Sequence, residues 1–182
     1  MKSETTRARI RVAAAKVIER DGAGRLTLEK MASEAGVSKG GLLYHYPSKD
    51  ALLQGLLEHL LENRAGLIEG LSSAADLTNT ALLNSLIDAD FDLPKEERIM
   101  AQGLIAASAE NPELIAPAQR HVEDVFAHLG NSKTTATSAR TIFLASQGLQ
   151  FLELLGLLSL STAERNEIRR HLETMVQDLG RC

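Results

Sequence analysis

The sequence predicts an all-α fold of about nine helices, and three observations support this class. Apolar residues recur three and four positions apart along much of the chain, which is the spacing of amphipathic helices. No segment alternates apolar and polar residues as a half-buried strand does, and no internal repeat is present. The 182 residues are 44% apolar with only four Pro, a composition that can bury a sizeable core in one or two domains.

The first two helices are predicted over about residues 4–21 and 28–34. Apolar residues follow one face of the first helix, and a glycine-containing turn closes it. Thr27 is the expected N-cap of the second helix, with Glu29 in the first turn, where negative charge is favourable. Gly36 follows as a left-handed stop.

The next two helices are delimited by serine caps and a proline. Ser38 is expected to cap a short helix over 39–46, which Pro47 ends. Ser48 is expected to cap a long helix over about 49–68. The second and third helices, joined by a three-residue turn, therefore predict a helix-turn-helix.

Five further helices are predicted downstream. Asn111 and Pro112 form a cap and a first-turn proline, and Ser161 with Glu164 forms a capping box. The predicted ranges are about 80–91, 95–109, 112–129, 136–159 and 162–179.

Charge divides the chain unevenly. Residues 1–50 hold ten basic and six acidic residues, a net charge of +4, whereas the remainder carries a net charge of −8. We expect an anionic partner at the amino-terminal end only, because the acidic remainder opposes indiscriminate binding to polyanions.

Several classes of protein are not expected. The only thiol is Cys182, so no intramolecular disulfide is predicted and a reducing cytoplasm is the simplest compartment. The amino-terminal residues lack the apolar stretch of a signal peptide. The most apolar segment, residues 149–160, is shorter than the roughly 20 residues that span a bilayer, so no membrane partner is predicted.

No catalytic site, cofactor or metal is predicted. The sequence contains neither a glycine-rich phosphate loop nor a nucleophile elbow, which predicts that the protein is not an enzyme. His121, Asp124 and His128 have a spacing that metals use, but exposed polar residues on an amphipathic helix explain them equally. The acidic residues at 88–92 resemble a calcium loop, yet Leu93 replaces the required glycine.

The penultimate helix is apolar on two sides, and one core contact cannot use both. Together with the amphipathic last helix, it predicts a dimer face within about residues 136–179; burial of both rows inside one protomer is the alternative. One row contains Ile142, Leu149, Leu152 and Gly156, and the other contains Leu144, Gly148, Phe151 and Leu155. The predicted interface residues are Ile142, Leu149, Leu152, Gly156, Ile168, Leu172 and Met175.

The helix-turn-helix segment carries groups suited to a DNA major groove. Tyr44, His45 and the lysines nearby are able to donate hydrogen bonds to phosphate oxygens. The glycines at 40 and 41 allow close backbone approach but leave few long side chains for reading bases. We therefore expect Lys39 to make the main base-edge contact, while Leu42 either touches a thymine methyl or packs inward.

Over about residues 7–60 the chain resembles the tetracycline-repressor (TetR) family of bacterial transcriptional regulators. The resemblance is carried by Thr27, the Ala32-x3-Gly36-Val37-Ser38 turn, Lys39-Gly40, Leu42, Tyr44-His45-Tyr46 and Ser48-Lys49-x2-Leu52. It implies DNA contacts at Thr27, Ser38, Lys39, Gly40, Gly41, Tyr44, His45 and Lys49. Leu43 departs from the family, because many members place an aromatic residue at that position.

The resemblance also implies a functional plan for the chain. Residues 1–47 would bind double-stranded DNA, and residues 48–182 would form a helical domain for dimerisation and for a small effector. The helix over about 48–68 would bridge the two domains. Such a homodimer would be a transcriptional repressor that releases a palindromic operator when the effector binds. Candidate pocket walls, each also explained by core packing, are Leu60, Phe91, Leu104, Ala107 and Phe126.

Two alternative functions remain open from the sequence. One is a helical dimer that binds a protein or a small molecule and binds DNA only weakly, and the other is an enzyme on a helical scaffold. Salt-dependent binding to a palindromic duplex separates the regulator from both alternatives, because contacts to phosphates impose a steep dependence on salt.

Overall fold

The computed structural model describes residues 2–72, 79–131 and 135–181, with side chains for 5–62, 79–131 and 135–181. These parts of the chain contain nine α-helices and no strand, which confirms the all-α class. Short 3-10 turns at Ala23–Arg25 and Pro112–Ile115 precede the second and seventh helices. The helices are α1 (Lys2–Asp21), α2 (Leu28–Ala35), α3 (Lys39–His45), α4 (Lys49–Ser72), α5 (Asn79–Phe91), α6 (Lys95–Ser108), α7 (Ala116–Leu129), α8 (Ala136–Leu154) and α9 (Thr162–Leu179).

Four helices begin directly after the serine or threonine that the sequence predicts as their N-cap. The Thr27 hydroxyl accepts from the Lys30 amide, and the Ser38 hydroxyl accepts from the amide three residues later at 3.0 Å. Ser48 caps α4 in the same way. At α9 the hydroxyl of Ser161 and the carboxylate of Glu164 exchange bonds with each other's backbone amides, so the predicted capping box is confirmed.

Three predicted boundaries are wrong. Helix α4 runs to Ser72 rather than to about residue 68, so the first residues of the predicted connection are helical. Helix α8 ends at Leu154 rather than near 159, because Gly156 adopts a left-handed φ of 67° and the Leu157 amide turns back to the carbonyl of Leu152 at 2.9 Å. The segment opening at Pro112 is a 3-10 turn before α7. Asn111 makes no side-chain capping bond there; its backbone carbonyl accepts from the amide three residues on.

The chain divides into two compact units. The first unit contains residues 1–61 and 94–119, and the second contains residues 62–93 and 120–182. This division differs from a boundary at 47/48, because the first half of α4 is buried in the first core and α6 packs on α1. The division into a DNA-binding domain and an effector domain stays a prediction.

The first unit is built around one apolar core shared by α1, α2, α3, α4 and α6. Helices α1 and α6 approach closely at Gly103, where an added Cβ would lie 2.8 Å from the side chain of Ile18. The largest fully buried side chains of this core are Ile10, Val17, Leu26, Met31, Leu42, Leu52, Leu56 and Leu114.

The second unit has a separate core, in which α5 packs on α8 and α9. Its fully buried large side chains include Leu83, Ile87, Leu129 and Ile142. No described helix combines the length and the hydropathy needed to cross a bilayer.

Candidate DNA-binding surface and candidate dimer face

The turn between α2 and α3 is held by backbone geometry and by a distant arginine. Gly36 adopts the left-handed conformation (φ 62°, ψ 38°), which confirms the predicted stop. Arg9 on α1 donates to the carbonyl of Ala35 at 2.7 Å and to that of Gly36 at 2.9 Å. These charge-assisted bonds occupy carbonyls that helix α2 leaves without internal partners, so Arg9 fixes the turn from the first helix.

The beginnings of α2, α3 and α4 are linked by two lysines. The Lys39 ammonium lies 2.6 Å from the carboxylate of Glu29, two residues after Thr27. The Lys49 ammonium donates to the carbonyl of Gly24, three residues before Thr27, at 3.4 Å. The structure therefore brings the predicted residues Thr27, Lys39 and Lys49 into one neighbourhood. We call this neighbourhood the head surface; it contains Thr27, Glu29, Ser38, Lys39, Gly40, Gly41, Tyr44, His45 and Lys49.

Most of the predicted contact side chains are accessible, but Leu42 is not. Tyr44 is 84% exposed, and its ring meets the His45 ring edge to face at 5.3 Å. Leu42 is 0% exposed in the core, so a contact between Leu42 and a thymine methyl is wrong and its inward alternative is correct. Tyr46 is also buried, against Gly55 of α4, where an added Cβ would lie 2.5 Å from the ring.

Ion pairs surround the head surface and shift acid pKa values. The hydrogen bond from Lys39 is the main cause that lowers the pKa of Glu29 below its usual value. At the end of α1, hydrogen bonds from Arg20 and then from Lys30 lower the pKa of Asp21 to about 2. Lys30 therefore forms its ion pair with Asp21, whereas Glu29 forms its ion pair with Lys39.

Sequence reasoning missed two residues of this region. The sequence pattern predicts Glu29 only as a favourable charge at a helix start, and it predicts no contact for Arg9. The Arg9 contact joins positions 26 and 27 residues apart, which no local pattern reports. The sequence holds one indication of the Arg9 contact, a basic residue in the first helix together with a glycine that ends the second. A helix end presents free carbonyls that such a donor can bind.

The second unit exposes a group of large apolar side chains. Leu144 is 57% exposed and Leu157 is 70% exposed. Their neighbours in sequence include other exposed apolar residues at the end of α8, and Ile168 on α9 is exposed as well. We call this group the apolar face: Leu144, Phe151, Leu152, Leu155, Leu157 and Ile168.

The apolar face shares only Leu152 and Ile168 with the predicted dimer interface. Ile142 (1% exposed) and Leu172 (5% exposed) are wrong as interface residues, because both are consumed by the core of their own protomer. Gly156 lies beyond the end of α8 and does not extend a helical row. Leu149 and Met175 are partly buried against the core, whereas Leu152 and Ile168 remain exposed.

The predicted pocket walls belong to two different cores. Leu60, Leu104 and Ala107 are buried in the first core. Phe91 is buried in the second core, and Phe126 packs against it. Arginines cover both rings: Arg140 lies 4.4 Å from the Phe126 ring centroid, and Arg165 lies 4.7 Å from that of Phe91.

Two arginines of α9 bind the carboxyl-terminal end of α5. Arg165 donates to the carbonyl of Phe91 at 2.6 Å and pairs with Glu153 of α8. Arg169 pairs with Asp92 at 2.9 Å and also with Asp88. The hydrogen bond with Asp92, ahead of that with Asp88, raises the pKa of Arg169 above its usual range. The acidic segment therefore serves as an arginine site within the protomer.

A buried carboxylate lies between these arginine-bound residues. Asp90 is 2% exposed and accepts from Ser146 at 2.7 Å and from Gln147 at 2.6 Å, both on α8. No group of three or more metal-ligating side chains occurs in the described part of the chain.

Comparison with known proteins identifies the family. The model named "Tetracyclin repressor-like, C-terminal domain" matches residues 80–177, more than half of the chain, and the model for bacterial regulatory proteins of the tetR family matches residues 10–56. The chain belongs to the TetR family. It is thus a DNA-binding transcription regulator by family, and nothing in the comparisons indicates catalysis.

Individual relatives are more distant. The nucleoid occlusion factor SlmA of Vibrio vulnificus (strain YJ016) is 31% identical over 94 residues, which are 52% of this chain and 40% of that protein. The chain thus spans about two fifths of the length of this curated relative.

Solved structures resemble almost the whole chain. NalD of Pseudomonas aeruginosa, the secondary repressor of the MexAB-OprM multidrug efflux pump, gives a TM-score of 0.68 at 21% identity and covers 97% of this chain and 96% of its own. A transcriptional regulator from Rhodococcus sp. Rha1 gives a TM-score of 0.67 at 17% identity and covers 95% of each chain. At these identities the likeness shows the shared fold.

Proposed function

We propose that the chain is a homodimeric, ligand-responsive repressor that binds a palindromic operator in the cytoplasm. Residues 1–47 bind DNA, and residues 48–182 dimerise and receive a small effector that releases the operator. The observation that carries the proposal is the head surface, where the beginnings of three helices present exposed polar and basic groups. A helix-turn-helix places the start of its second helix in the major groove.

Each part of the head surface has a role in this proposal. Lys39 reads a base edge near the start of α3, while Tyr44, His45 and Lys49 donate to phosphates on either side. Gly40 has no atom within 4 Å of an added Cβ, so DNA can approach the backbone of α3 closely. The Thr27 and Ser38 hydroxyls, which also cap their helices, lie at the two helix starts and donate to phosphates.

The apolar face supports dimerisation. Several large Leu, Ile and Phe side chains are exposed in this one unit, and a large exposed apolar surface favours coverage by another molecule. A two-fold axis through this face would let each protomer cover the same residues of its partner. Two heads separated by about 34–36 Å would then meet successive major grooves on one side of the duplex.

The effector is proposed to act through the spacing of the two heads. A ligand releases DNA only if it binds more tightly to the form of the dimer whose heads miss the half-sites. Helix α4 is the proposed lever, because it begins at Lys49 and its range crosses the division between the units at 61/62. Its buried leucines anchor the first half of the lever in the first core.

Selection of bound duplexes from a random pool tests the proposal. The enriched duplex is titrated at several salt concentrations, and the mass of the complex is measured by sedimentation. We expect a palindrome bound by two protomers and a log–log salt slope of roughly −0.9 for each neutralised phosphate. The same duplex then serves as the probe in a screen for small molecules that release it.

A matched pair of lysine variants controls this experiment. Lys49→Ala should weaken binding to every duplex about equally and reduce the salt slope by about 1, since Lys49 contacts phosphate. Lys95→Ala should leave binding unchanged, because Lys95 lies at the start of α6 and pairs with Glu19. Absence of an enriched site with a flat salt dependence would favour the alternative, a helical dimer that binds a protein or a small molecule.

A further inference from the structure

Glu29 is an acidic side chain on a surface proposed to bind a polyanion. It is 64% exposed and lies 2.6 Å from the ammonium of Lys39, which is 58% exposed. An exposed ion pair contributes little to folding, and a carboxylate on this surface repels phosphates. Stability alone therefore gives a weak reason for placing Glu29 beside the lysine that starts the recognition helix.

The ion pair also makes Lys39 a poor phosphate ligand. The charge of Lys39 is already neutralised by Glu29. Lys30, which lies on α2 with Glu29, is paired instead with Asp21 at 2.9 Å. What the pair offers instead is a strong donor and a strong acceptor side by side. Such a combination suits the edge of a base pair, where donors and acceptors also lie side by side.

The spacing of the pair fits a G·C edge. In the major groove the guanine O6 and the cytosine N4 are bonded to each other at a distance of about 2.9 Å, close to the 2.6 Å between Lys39 Nζ and Glu29 Oε1. Guanine also offers N7 next to O6, so one ammonium can bridge two adjacent acceptors while a carboxylate accepts from N4. In an A·T pair the donor lies between two acceptors, and the thymine methyl adjoins one of them.

We propose that Glu29 and Lys39 together read one G·C base pair in each half-site of the operator. Lys39 donates to the guanine O6 and N7, and Glu29 accepts from the cytosine N4. Glu29 is thereby a specificity-determining residue that lowers overall affinity for DNA while it raises the preference for one base pair. The inference rests on the proposed function, because it needs the head surface to enter the major groove.

Four full-length variants test this reading: Glu29→Gln, Lys39→Ala, the double variant and the control Glu34→Gln. The control Glu34→Gln removes one negative charge from the other end of α2, where Glu34 pairs with Arg20. Each protein is titrated with the selected operator and with duplexes in which one symmetric base pair at a time is changed to the three others. Thermal melting of the free proteins verifies that all variants are folded.

We expect wild type to prefer G·C at one symmetric position by roughly fivefold or more over the other pairs. Glu29→Gln should reduce this preference to below about twofold at that position alone, and should raise affinity for unrelated duplexes because a repulsive charge is lost. Lys39→Ala should lose the preference at the same position, and the double variant should lose no more than either single variant. Glu34→Gln should retain the wild-type profile.

Two outcomes would overturn the inference in distinguishable ways. A Glu29→Gln profile that keeps every base preference while affinity shifts by one common factor would show that Glu29 acts only by repulsion, and the proposed function would stand. An effect of Glu29→Gln at a position that carries an A·T pair would also overturn the inference and leave the proposed function standing. No enriched duplex for wild type would overturn the proposed function and this inference together.

Discussion

The two units of the chain leave different chemistry on their surfaces. Among the described residues of the first unit, the large exposed apolar side chains are Val12 and Tyr44, whereas the second unit exposes the whole apolar face. One arginine of each unit shows a second difference: Arg20 of the first unit is 55% exposed, whereas Arg165 of the second is 21% exposed. Each unit thus leaves exposed the kind of surface that its proposed partner would cover, polar for DNA and apolar for a second copy of the chain.

The largest expected effect follows from placing a charge on the apolar face. Phe151→Glu should leave the fold intact but convert the proposed dimer into a monomer of 19.7 kDa, because a buried unpaired carboxylate is costly at an interface. Operator affinity should then fall roughly 100-fold, since the second half-site no longer benefits from linkage. Sedimentation and operator titration measure both effects.

Val12→Glu is the matched control for that change, because Val12 is an exposed apolar residue of the first unit. Its mass in solution should equal that of wild type. Dissociation by Val12→Glu, or an unchanged mass for Phe151→Glu, would contradict the assignment of the apolar face.

The next effect separates the two rows of α8. Ile142→Ala should lower the free energy of unfolding by about 2–4 kcal/mol, because its side chain is buried in the second core. Leu144→Ala, two residues away and mostly exposed, should change the stability of the protomer by less than about 0.5 kcal/mol. Denaturant titration of both variants in the monomeric Phe151→Glu background measures the stability of the protomer alone. Equal losses of unfolding free energy would contradict the placement of Ile142 in the core and Leu144 on the surface.

A smaller effect separates the two kinds of arginine. Arg165→Ala should cost about 2 kcal/mol, because it leaves the carbonyl of Phe91 and the carboxylate of Glu153 without their donor. Arg20→Ala should cost less than about 1 kcal/mol, as expected for exposed ion pairs. Chemical denaturation measures both, and a larger loss for Arg20→Ala would reverse the comparison.

The smallest effect concerns acid stability of the first unit. The pKa of Asp21 is about 2 in the folded protein against its ordinary 3.8, so its ion pairs stabilise the fold fully above the ordinary value. That contribution is lost as the pH falls from 3.8 through about 2. Asp21→Asn should flatten the dependence of the unfolding free energy on pH across this window. An identical pH profile in the variant would contradict the proposed origin of the shift.

Local features of the fold were predictable from the sequence. Each of these features depends on residues within a few positions, so the local sequence is enough to predict it. They are the caps at Thr27, Ser38 and Ser161 and the left-handed Gly36. The early end of α8 is the exception, because an apolar run conceals the stop at Gly156.

Features that depend on distant contacts were not predictable. The two rows of α8 are both apolar, so periodicity alone could not tell that Ile142 faces the core while Leu144 and Phe151 face outward. It could not tell either that Leu152, in the same row as Ile142, is exposed. The contact between Arg169 and Asp92 joins positions 77 residues apart. The same holds for Glu29, whose partner is defined only once α2 and α3 are packed together.

Gly40 is a position at which substitutions could change the DNA sequence that the proposed regulator prefers. Space around an added Cβ at this position is empty, and the residue lies in the exposed first turn of α3. Replacing it by a residue with a side chain would cost the free protein nothing in packing and would gain up to about 1 kcal/mol in helix propensity. Under the proposed function, new operator sequences are therefore accessible to descendants of this chain by single changes that the fold does not oppose.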